Sequence, residues 1–110
     1  MKLLIPAMTL IVTLALPLSA SAETTEFTIA IKNHRFEPAE VVVPAGKKVK
    51  LVIDNRDATP EEFESHDLKR EKVIAGKTKA TIWVGPLRPG KYRFFGEFHE
   101  ATAQGLLIAK

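Results

Sequence analysis

The sequence predicts an all-β sandwich, and three observations carry that expectation. Apolar residues recur with a period of two in several short segments, and Pro/Gly turn signals separate those segments. The third is their number and spacing, since six or seven such segments fit within one short domain. Glu26 to Lys32 (EFTIAIK) alternates large apolar with smaller or polar residues, as a half-buried strand does. Glu40 to Val43 is a β-branched run stopped by Pro44-Ala45-Gly46. Lys48 to Asn55 alternates again, with Val49, Leu51 and Ile53 on one side and Lys50, Val52 and Asp54 on the other. Lys79 to Val84 is closed by Gly85-Pro86, and Leu87-Arg88-Pro89-Gly90 turns the chain into Lys91 to Phe95. Gly105 to Ala109 is the last apolar segment. Six or seven strands at this spacing form a sandwich.

One segment supports two readings. Thr59-Pro60-Glu61-Glu62 has the residues of a capped helix start. The residues after it, from Phe63 to Lys72, are mostly charged, and Phe63 and Leu68 are five apart, which suits a helix poorly. A short strand from Glu62 to Ser65, followed by an exposed loop to Ile74, is the preferred reading. Trp83 is expected to be a packing residue.

The first 22 residues stand apart. Lys2 is followed by an apolar run from Leu3 to Leu18, and Ala20-Ser21-Ala22 offers a small-residue cleavage site. The expected organisation is a signal peptide over residues 1–22 and one domain over residues 23–110, with a periplasmic destination. A retained anchor is the competing reading, which the shortness of the run disfavours. Without Lys2 the net charge falls from +3 to about +2, with basic and acidic residues interspersed, so a nucleic-acid partner is not expected. The chain has no cysteine. That excludes disulfides, thiolate metal ligands and a cysteine nucleophile, and leaves stability to packing or to a bound metal. No nucleophile elbow, P-loop or dinucleotide fingerprint is present, so catalysis of those kinds is not expected.

Carboxylates and imidazoles supply the remaining chemistry. In an extended segment Glu62, Glu64 and His66 share a side, with Phe63 opposite. Read in the same way, Glu97 and His99 share a side, with Phe95 and Phe98 as apolar anchors. Oxygen and nitrogen donors without a thiolate suit iron(II), copper(II), zinc or manganese. The plainer alternative is that Phe63 and Phe98 face the core while the carboxylates are solvated. His34, Asp67 and Glu100 read as surface residues.

Several stretches together resemble a known family. Ala45-Gly46 after the β-branched run, Asn55-Arg56-Asp57, Leu87-Arg88-Pro89-Gly90-Lys91-Tyr92 and Gly105-Leu106-Leu107-Ile108 follow one another as in cupredoxins. Pro60 to Ser65, Phe95-Gly96-Glu97-Phe98-His99 and Thr102-Ala103-Gln104-Gly105 are more specifically similar to the EfeO-type cupredoxin-like domains associated with iron permeases. The resemblance implies a cupredoxin-like Greek-key β-sandwich of about seven strands. It sets Glu62 at the first ligand position, Gly96 where a cysteine is usual and His99 at the second histidine position. Ala103 or Gln104 falls where an axial methionine is usual, and Phe36 falls where some members have another cysteine. With every sulfur ligand lost, no type 1 copper is expected. The implied function is a periplasmic metal-binding accessory of iron uptake, holding iron or copper through Glu62 and His99 with Glu64, Glu97 and His66. Its expected partners are an iron permease or other membrane components of that system. The alternatives are a metal-free interaction module and a copper electron-transfer protein.

Overall fold

The computed structural model describes residues 2–15 and 24–110. Residues 2–15 form no helix or strand and are exposed. Ala20-Ser21-Ala22, the expected cleavage site, lies outside the described residues. Among the described residues no helix is long and apolar enough to cross a membrane.

Among the described residues nine strands follow in chain order: β1 Glu26–Lys32, β2 Arg35–Glu37, β3 Glu40–Val43, β4 Val49–Asn55, β5 Glu61–Ser65, β6 Arg70–Ile74, β7 Lys79–Val84, β8 Gly90–Gly96 and β9 Gln104–Ala109. One sheet has the order β2-β1-β4-β7 and the other β3-β9-β8-β5-β6. Strands β1 and β4 pair in parallel, as do β3 and β9, and the remaining pairs are antiparallel. The predicted all-β sandwich is therefore the observed fold, with two strands more than expected. Strand β2 is only three residues long and holds one buried residue, Phe36, which is too little for a periodic signal. Strand β6 replaces the predicted loop. Its residues Arg70 to Val73 are exposed, so no burial pattern marks it, and its pairing with β5 makes it a strand.

The core lies where the inner faces meet. Val49, Leu51 and Ile53 of β4 are fully buried and pack with Ile29 and Ile31 of β1 and with Leu107 of β9. At the centre Phe36, Phe63 and Phe94 form an aromatic cluster, with Phe63 and Phe94 stacked at 5.0 Å and Phe36 edge-on to both. Such pairs add to the gain from area burial. Trp83 departs from its expected packing role. It alternates outward on β7, is half-exposed, and carries the Lys48 ammonium 4.7 Å above its ring. Phe98 is also half-exposed rather than buried, because the strand has ended before it.

Candidate metal centre

The inner face of β5 determines the site. Phe63 is fully buried, and strand alternation puts Glu61 and Ser65 on its side, where they are 1% and 2% exposed. A carboxylate in such a place needs partners, since an unpaired buried charge is costly. Glu61 has three. Its Oε1 accepts the backbone N–H of Phe98 at 2.9 Å and of Glu62 at 3.0 Å, and its Oε2 lies 2.5 Å from Nδ1 of His99. With N–H donors on the other oxygen, the simplest assignment has His99 donating from Nδ1, which leaves its Nε2 as the acceptor nitrogen.

His99 reaches Glu61 through a turn rather than a strand. Glu97–His99 is a 3-10 helix that follows β8 directly. In a helix of three residues per turn, residues two apart point in different directions. The expected common side for Glu97 and His99 is therefore not formed.

His34 completes the arrangement from the β1–β2 turn. Its ring stacks on that of His99 with centroids 3.6 Å apart and planes 12° apart. Both turn residues, Asn33 and His34, have φ near +55°: 53° and 58°. That region is uncommon for residues other than glycine, and asparagine and histidine are among those enriched in it. The Asp57 carboxylate holds the turn by accepting the backbone N–H of Asn33 at 2.8 Å and of His34 at 2.9 Å. Burial alone would raise the Asp57 carboxyl. The bonds from His34 and Asn33 outweigh it, and the carboxyl sits below its usual range. From the other side, the Thr102 hydroxyl donates to the His34 carbonyl at 2.5 Å. Donor atoms of His34, Glu61 and His99 all lie within 4.8 Å of one another.

The outer face of β5 carries a second set. Glu62, Glu64 and Glu97 bring carboxylate oxygens within 4.8 Å of one another. His66 stands at its rim, with Nδ1 3.9 Å from Glu64 and a largely exposed ring. The sequence-predicted residues thus fall into two places. Glu62, Glu64, Glu97 and His66 gather on one side of the strand, and His99 lies with Glu61 and His34 on the other. The expected pairing of Glu62 with His99 gives way to Glu61 with His99, because adjacent residues of a strand face opposite ways. Sequence reasoning missed Glu61 and His34. The signal for Glu61 was Phe63: a core-facing phenylalanine places the residue two before it inside as well. For His34 no pattern in the chain announces its approach to His99.

The crowded carboxylates take up protons readily. Glu62 is pushed up to about 7, first by the hydrogen bond it shares with Glu71, then by burial and by Glu97. Glu64 is also raised, first by its hydrogen bond to Glu97. Between the ordinary value of 4.5 and about 7, the folded chain therefore holds more protons here than the unfolded chain. The stability this cluster contributes is complete below that window and is lost as pH rises through it. Asp57 acts in the opposite sense, but only as pH falls below its ordinary value of 3.8. Urea unfolding at about pH 5.5 and pH 8 is expected to show a larger fall in midpoint for the wild type than for Glu62→Gln. An equal fall in both would mean that Glu62 is not the group responsible.

Comparison with known proteins identifies the fold that carries this geometry. Residues 4–109 match the model of the cupredoxin-like domain. The chain belongs to that family. An uncharacterised protein of Rickettsia prowazekii (strain Madrid E) is 52% identical over 83 residues, which cover 76% of this chain and 66% of that protein. Reduced auracyanin from Roseiflexus castenholzii superposes with a TM-score of 0.68 at 17% identity, covering 81% of this chain and 99% of that one. Auracyanin A from Chloroflexus aurantiacus, described as a "blue" copper protein, has a TM-score of 0.67 at 15% identity, covering 77% and 98% of the two chains. At such identities the likeness concerns the fold. A blue-copper centre needs a thiolate, and this cupredoxin-like chain has no cysteine, so it does not fit that cofactor. What it holds instead is two imidazoles and one carboxylate.

Proposed function

We propose that this cupredoxin-like protein binds a divalent transition-metal ion through His34, Glu61 and His99. The observation that carries the reading is the convergence of their donor atoms within 4.8 Å, with the carboxylate buried and each backbone segment tied down. Two histidines and a carboxylate suit iron(II), and they also suit zinc or copper(II). An ion seated there takes a nitrogen from each ring. For Glu61 to be the third ligand, its bond to His99 Nδ1 yields; the neutral ring keeps its single proton on whichever nitrogen the metal does not take. Protons compete with the metal for the ligand atoms, so binding weakens in acid. A metal also requires the rings to tilt out of their stack, since lone pairs of stacked rings run parallel. Exposure of the two rings gives the ion a route in: the side chains are 42% and 28% exposed for His34 and His99.

Periplasmic residence and an accessory role in iron uptake, in contact with a permease, complete the proposal. They are supported by the signal-like N-terminus and the EfeO-type resemblance. The acidic set of Glu62, Glu64 and Glu97 is compatible with such a role, as oxygen donors attract hard cations toward the same end of the sandwich.

Calorimetric titration with Fe(II), Zn(II) and Cu(II) tests the metal reading. His34→Ala and His99→Ala are each expected to weaken binding by about tenfold or more. Melting of the wild type is expected to rise with metal concentration, since a ligand of the folded state stabilises it. Unchanged affinity in both variants would move the site elsewhere. Unchanged melting at saturating metal would favour a metal-free interaction module.

A further inference from the structure

We infer that Gly96 sets the ligand chemistry of this centre, because a side chain at position 96 and the buried Glu61 carboxylate exclude one another. The inference rests on the reading of Glu61 as the carboxylate of the centre. A Cβ at position 96 would lie 2.7 Å from Cδ and 2.9 Å from Oε1 of Glu61, and 2.7 Å from the Cβ of Ala103. These distances are shorter than real Cβ atoms keep. The Gly96 φ is −93°, an ordinary extended value, so backbone conformation does not demand glycine here. Space does.

None of the neighbours yields easily. Glu61 is held by two backbone N–H groups and His99, and Gly96 is fixed by pairing with Phe63 and by donating its N–H to the Ala103 carbonyl at 2.9 Å. Ala103 is fully buried. The carboxylate therefore occupies the room that any larger residue at 96 would need, a thiol-bearing one included. Glycine at 96 and glutamate at 61 act as a matched pair that commits the centre to oxygen and nitrogen donors. A single substitution to cysteine does not turn it into a thiolate site.

A metal-free thermal cycle tests the pairing. Gly96→Ala is expected to lower the melting midpoint by about 5–15 °C, as overpacking of a buried site does. In a Glu61→Ala background the same step is expected to cost less than half of that shift, since the carboxylate no longer stands in the way. Proton NMR supplies a readout that general destabilisation would not move. The hydrogen-bonded Nδ1 proton of His99 is expected to be visible in the folded wild type and to be lost in folded Gly96→Ala. Equal drops in both backgrounds would assign the crowding to Ala103 and overturn the inference, as would a His99 signal that survives. Because no metal is used, a wild type that fails to bind metal would sink the proposed function and leave this cycle readable.

Discussion

Glu61→Ala is expected to remove metal binding and much of the local order together. Truncation deletes the carboxylate from the centre and takes away the partner that fixes the His99 ring. A loss of about 100-fold in affinity is expected for Zn(II) or Cu(II), at the upper end of what is lost when a histidine's supporting carboxylate is removed. Stability suffers independently of metal. The N–H groups of Glu62, which is buried, and of Phe98, which is partly buried, lose their acceptor, and a fully buried donor left unpaired costs about 1–3 kcal/mol. A net destabilisation of about 2–4 kcal/mol is expected in urea unfolding. Glu61→Gln separates the two effects. Its remaining carbonyl oxygen can still accept both backbone bonds, while its amide cannot take a metal as a carboxylate does. It is therefore expected to fold nearly as well as the wild type and to bind metal as weakly as Glu61→Ala. Wild-type affinity in the glutamine variant would remove Glu61 from the centre.

Asn55→Ala is expected to destabilise the domain by about 3 kcal/mol. The side chain is fully buried at the end of β4. Its amide nitrogen donates to the carbonyls of Thr59 at 2.9 Å, Ile74 at 3.1 Å and Ala75 at 3.3 Å, and its oxygen accepts the N–H of Asp57 at 3.1 Å. One residue thus closes the β4–β5 connection against the end of β6. Asn55→Asp keeps the oxygen that holds Asp57 but turns a second oxygen toward three carbonyls, so it is expected to be at least as harmful. The damage is expected to reach the proposed metal centre through Asp57, the carboxylate that grips the Asn33–His34 turn. Zn(II) affinity of Asn55→Ala is expected to fall several-fold where the domain is still folded, and adding His34→Ala is expected to produce less than the sum of the separate losses. A destabilisation below about 1 kcal/mol would show that water or other groups replace the amide.

Both residues show how local the legible part of the sequence is. Asn55-Arg56-Asp57 was recognisable as a motif, yet nothing in the chain says that its asparagine bonds to residues 19 and 20 positions away. The carboxylate-rich segment before His66 was legible too, and it does form a strand. What went unread is the consequence for Glu61, which shares the inward face of Phe63. Glu62 and Glu64 take the face opposite Phe63, as the alternation predicts, although Glu62 is itself covered there. Glu61 goes inward because its neighbour Phe63 must, and because Phe98, Glu62 and His99 supply the donors that make burial tolerable.

By itself the sequence determined the sandwich, the strands with clear alternation, and the absence of any sulfur ligand in the chain. These follow from period-two burial, turn residues and composition, which are local or global properties of a string. Tertiary structure alone decided the rest. It paired the exposed β6 with β5, turned Glu97–His99 out of the strand into a 3-10 helix, and stacked His34 on His99 across 65 residues of chain. It also placed the Glu61 carboxylate in the space left by Gly96. Contacts of that separation depend on how two sheets pack, and no spacing within one segment records them.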